Sequence, residues 1–134
     1  GVLSGLTRDT GPEQIIRAII ESVAYQTHDL FEAMKHDGLR PRLVKVDGGM
    51  VMNNWFSQFL SDVVNVGVLR PKVQETTALG AAFMAGLHIG IYKSLEDISK
   101  NWSLDRKFSP KMKNINRVKL LKGWSKAIKR TLIN

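Results

Sequence analysis

The chain has 134 residues, the size of one ordinary domain, and its 43% apolar composition is enough for a packed core. It contains no cysteine, which excludes disulfide frameworks, cysteine-rich zinc sites and cysteine nucleophiles together. The net charge of +8 is confined to one end: residues 1–92 carry 8 Lys+Arg against 9 Asp+Glu, and residues 93–134 carry 12 against 3. The longest apolar run, Gly80 to Tyr92, contains a histidine and is too short to span a bilayer, and the N-terminus shows no export pattern. A cytoplasmic domain without a membrane partner is the expectation.

Thr10 or Gly11 is placed to cap a first helix opened by Pro12 and Glu13. Proline's missing N–H costs nothing in the first turn, and the acid meets the positive end of the helix dipole. The helix runs to about Lys35 and is ended by His36, Asp37 and Gly38. Its apolar residues, among them Ile15, Ile16, Ile19, Ile20, Leu30, Phe31 and Met34, cover a broad face and predict burial against a sheet. Leu43 to Val46 reads as a short strand, and Trp55, Phe56, Phe59, Leu60, Val63 and Val64 recur at helical spacing. Val66 to Leu69 reads as a second strand closed by Arg70 and Pro71. Strand, helix, strand implies a parallel crossover. Thr76 or Thr77 is placed to cap another helix through about Gly90, in which Ala78, Ala82 and Ala85 form a small-residue side that suits close packing. Over about residues 111–133, Met112, Ile115, Val118, Leu121, Trp124, Ile128 and Leu132 recur with lysines between them, an amphipathic basic helix. Its solvated basic face is read as ordinary helix surface in preference to a nucleic-acid or acidic-partner site.

Asp47-Gly48-Gly49 falls between the first predicted strand and the following helix, at the strand's C-terminal end, where open α/β sheets bind ligands. Two glycines let backbone N–H groups approach a phosphate or a base, but the same pair also suits a tight turn. Asn53 is either a helix N-cap or a carboxamide that meets a purine or ribose. Spacing alone leaves both alternatives open.

Five blocks in order carry a resemblance: SGLT (4–7), IIRAIIESVAYQT (15–27), VDGGMVMNNWFSQFLSDV (46–63), RPKVQETTALGAAFMAGL (70–87), and FSP with the later GWSKAIKR. Together they resemble the C-terminal part of the glycerol kinases, within the sugar and polyol kinase family that shares the actin-like, ribonuclease H-like ATPase fold. RPKVQETTALGAA favours the glycerol branch over the pentulose kinases. Gln14 stands where relatives often carry histidine, and the tail after Pro110 matches poorly.

The resemblance implies an α/β fold of short parallel strands with several packed helices. Residues 1–134 would form the C-terminal portion of the second kinase domain. It also implies a reaction, ATP and glycerol to glycerol 3-phosphate and ADP with Mg2+, with Gly49 and more weakly Gly48 against the nucleotide and Asn53 beside the adenine. The TALGAA helix is implied to support this loop. Phosphoryl transfer needs phosphate loops, a magnesium carboxylate and a base. The family's versions precede the segment that begins here, so no catalytic or metal residue is assigned. Asp47 is read as a turn-capping strand-end aspartate, and no H-E-x-x-H motif joins His28, His36 and His88. The chain alone is expected to be inactive, to supply the adenosine side of the cleft, to meet glycerol mainly through the upstream part, and to form a homo-oligomer through its uncovered surface. The alternatives are another polyol or sugar kinase of the same family, or a stand-alone basic interaction module.

Overall fold

A computed structural model describes residues 1–132, so Ile133, which the predicted basic helix includes, lies outside the described residues. Among the described residues, five helices and three strands follow one another as α1 (Pro12–His36), β1 (Leu43–Lys45), α2 (Asn54–Val64), β2 (Gly67–Pro71), α3 (Thr76–His88), α4 (Leu95–Ser99), β3 (Leu104–Phe108) and α5 (Asn114–Leu132). A 3-10 turn, Gly49–Met52, lies between β1 and α2.

The sheet order is β1-β2-β3. β1 and β2 pair in parallel, with Val44 opposite Val68, as the crossover reading requires. β3 pairs antiparallel to β2, with Val68 opposite Phe108, and was not anticipated. Its sequence, Leu-Asp-Arg-Lys-Phe, is exposed except at Phe108, so the alternating apolar signal of a half-buried strand is missing. Charged residues of this kind suit an edge strand. β2 also continues past its predicted end: Arg70 and Pro71 belong to it, with the register shifting where proline supplies no N–H.

α2 is buried over most of its circumference because it lies between the sheet and α1. Two serines make this close approach possible. The Ser57 hydroxyl donates to the Val51 carbonyl at 2.8 Å, and that of Ser61 to the Val66 carbonyl at 2.8 Å. The core is built from Phe56, Phe59, Leu60, Val63 and Val64 of α2 with Val68, Phe108, Ala24, Tyr25 and Phe31.

α1 packs on α2 and not directly on the sheet, contrary to expectation, because α2 already covers the sheet face. Gly11 caps it, and the Gln14 side-chain carbonyl accepts the Gly11 N–H at 3.0 Å. Tyr25 meets Phe59 edge-on at 5.7 Å and stacks on Trp124 of α5 at 5.4 Å. The opposite flank is open: Ile16, Ile19 and Leu30 are 56%, 55% and 58% exposed.

α5 docks through Leu120, Leu121 and Trp124, with Met112 just before it, and the Trp124 indole N–H donates to Asp29 at 2.6 Å. Ile115, Val118 and Leu132 of the predicted stripe stay exposed. α3 differs most from expectation. Glu75, not a threonine, precedes it without a side-chain cap, and Ala78, Ala82 and Ala85 face open space. Its C-terminal end is held where Tyr92 folds back over Gly86 and meets Phe83 edge-on. No described helix is long and apolar enough to cross a membrane.

Candidate functional site

The parallel pairing extends one bond past β1, from the Val46 N–H to the Leu69 carbonyl at 3.0 Å, and then releases the chain into the glycine loop. Gly48 has φ +84° and ψ 172°, a conformation essentially reserved for glycine. Its N–H donates to the Gln74 carbonyl at 3.3 Å, which ties the loop to the residues just before α3. Gly49 opens the 3-10 turn with an ordinary φ, and a Cβ there would meet nothing within 4 Å. Neither backbone conformation nor a neighbour in the described chain therefore requires glycine at position 49. The surface beside it is free to receive a group from outside.

Asn53 closes the same turn. Its Oδ1 accepts the backbone N–H groups of Trp55 at 2.9 Å and Phe56 at 3.2 Å, so the capping role that the sequence left open is realised. The side chain is exposed, and no described residue accepts a bond from Nδ2. One half of the carboxamide is committed to α2 and the other half is available. Asp47 does not cap the turn: it is exposed, and its carboxylate makes no hydrogen bond to a described residue.

Arg70 is the residue that sequence reasoning missed. It is 6% exposed, and its Nε and NH2 meet one oxygen of Asp105 at 2.7 Å. NH1 donates to the carbonyls of Val51 at 2.8 Å and Met52 at 3.2 Å and to the Asn54 side-chain oxygen at 3.1 Å. The guanidinium thus holds the turn between Gly49 and Asn53 from below. Strand alternation carried the signal, because residues 68 and 70 share a face and Val68 is fully buried.

A cavity of about 450 Å³ lies elsewhere, between α1, α2 and the start of α5, lined by residues including Arg17, Trp55, Asp62 and Lys119. Its lining includes none of Gly48, Gly49 and Asn53. The perturbed groups on α1 are also remote in sequence from the loop. Burial pushes the Tyr25 hydroxyl pKa up, with Glu21 adding to the effect, and a hydrogen bond from Lys35 lowers that of Glu32. Among the described residues, no group of three or more His, Cys, Asp and Glu side chains could hold a metal ion.

Residues 1–89 match the C-terminal domain of the FGGY family of carbohydrate kinases. The chain belongs to this family. Glycerol kinase 1 of Pseudomonas aeruginosa is 52% identical to this FGGY chain over 130 residues, covering 97% of it and 26% of the relative. Most of the tail, expected to match poorly, therefore lies within the aligned region.

The crystal structure of Plasmodium falciparum glycerol kinase with ADP superposes with a TM-score of 0.80 at 36% identity, covering 98% of this chain and 26% of that one. Xylulose kinase from Rhodospirillum rubrum superposes with a TM-score of 0.75 over 96% of this chain and 26% of that one, and its 22% identity speaks for fold alone. The FGGY chain is thus part of an actin-like ATPase fold and spans about a quarter of the length of these relatives.

Proposed function

We propose that the chain is the C-terminal segment of a glycerol kinase, which transfers the γ-phosphoryl group of ATP to a primary hydroxyl of glycerol. The identity of 52% across 97% of the chain with a glycerol kinase carries this reading. Residues 1–134 would be the C-terminal portion of the second kinase domain, in a cytoplasmic enzyme that forms homo-oligomers.

Gly48, Gly49 and Asn53 are proposed to line the adenosine side of the nucleotide cleft. Gly49 leaves its backbone open to close approach, and the Asn53 amide has donors to offer to an acceptor on the base or ribose. Gly48 supports them by setting the backbone direction. ATP supplies the phosphoryl group when bound, and this segment's part is to bind and orient the adenosine end. The carboxylates that hold magnesium are assigned to the rest of the kinase. So are the phosphate loops, the glycerol pocket and the base.

The test is a coupled ADP-release assay on the intact kinase and on the 134-residue chain alone. The intact enzyme should consume ATP with glycerol, and the isolated chain should not. Turnover by the isolated chain, or an intact enzyme that uses xylulose and ignores glycerol, would overturn the reading.

A further inference from the structure

We infer that Arg70 is a positioning residue for nucleotide binding, acting through the turn that joins Gly49 to Asn53; the inference rests on the nucleotide reading of that loop. Arg70 is buried and makes no hydrogen bond to either glycine, yet its NH1 is bonded to two consecutive carbonyls of the turn, Val51 and Met52, and to the side chain of Asn54. Three residues separate Gly49 from Asn53, and besides Arg70 the turn is held by the buried Val51 side chain, by the Asn53 N–H bonding within it to Met50, and by Ser57, which reaches the Val51 carbonyl from α2.

The other side of the guanidinium is anchored on Asp105 of β3 and lies over the Phe108 ring at 5.5 Å. β3 is therefore linked to the loop through one side chain that spans the sheet. Only a planar fork meets a carboxylate on one edge and two carbonyls on the other. A lysine in the same place keeps the charge and loses one set of bonds. Asp105 completes the device as the group that aims Arg70.

The experiment uses the full-length kinase that carries this segment, with ADP as the probe in calorimetric titrations and steady-state kinetics for ATP and glycerol. Arg70→Lys should weaken ADP binding and raise the KM for ATP about tenfold, with the KM for glycerol unchanged. Asp105→Asn, at a 40% exposed side chain, should move ADP binding in the same direction by a smaller factor and keeps the test open if Arg70→Lys does not fold. In an Asn53→Ala background, Arg70→Lys should change ADP affinity less than in the wild type, because the contact it positions is already gone.

Strictly additive effects would refute a role through Asn53. So would variants that lose thermal stability and active fraction while the KM for ATP stays put, which is the pattern of a merely structural arginine. A wild-type enzyme that binds ADP while both variants bind it equally well overturns the Arg70 inference alone. A wild-type enzyme that binds no ADP removes the nucleotide reading and this inference with it.

Discussion

Asn53 has two separable jobs, and one substitution tells them apart. Its Oδ1 accepts two N–H groups of α2 at 2.9 and 3.2 Å, so Asn53→Ala leaves both donors without their cap and should lower stability by about 1 kcal/mol. A loss of that size follows whether or not nucleotide ever touches the residue, and alanine alone is uninformative. Asn53→Asp is different. Aspartate caps as well as asparagine, and its charge suits the helix N-terminus, so stability should stay within about 0.5 kcal/mol of the wild type.

What aspartate lacks is the pair of Nδ2 hydrogens, the half of the carboxamide that no described residue uses. Losing a donor to a buried acceptor on the nucleotide costs on the order of 1–3 kcal/mol, or roughly a 5- to 150-fold rise in the ATP requirement. The new negative charge beside an anionic ligand acts in the same direction. Denaturant melts and ATP and glycerol titrations of the intact kinase would measure both. If Asn53→Asp keeps its stability and its KM for ATP, Asn53 is a helix cap and nothing more. If the KM for glycerol rises in step with that for ATP, the contact is not on the adenosine side.

The two glycines should respond in opposite ways. Gly48→Ala forces a side chain into φ +84° and should cost about 1–3 kcal/mol of stability, whereas Gly49→Val, with nothing within 4 Å of its Cβ position, should leave the melting midpoint nearly unchanged and raise the KM for ATP; a Gly49→Val enzyme with normal ATP kinetics would reject the close-approach argument. The isolated chain should self-associate, because Ile16, Ile19 and Leu30 are more than half exposed and β1 forms an open sheet edge. Light scattering over a range of concentrations should report a dimer or larger species that disappears when the upstream half of the domain is present, and a stable monomer at every concentration would contradict it.

Local patterns fixed much of the framework before any packing was known. Pro12 after Gly11 and Gly38 after Asp37 bracket α1, the repeat from Trp55 to Val64 is α2, and the parallel pairing of β1 with β2 follows from the helix between them. These features are legible because they depend on residues a few positions apart. The family, too, was written in ordered blocks along the chain, and the turn of Gly48 and the cap of Asn53 are short-range chemistry.

Tertiary structure decided the rest. β3 lacks an apolar repeat and exists because β2 offers it a partner some 40 residues away in sequence. Arg70 reads as a strand stop until Asp105, Val51 and Met52 converge on it, which no local pattern encodes. The alanine stripe of α3 and the isoleucine face of α1 were legible as surfaces meant for packing, but α1 turned its buried side to α2 and both left apolar surface in the open. A periodicity states which residues prefer to leave water. What they pack against depends on which surfaces the rest of the chain brings within reach.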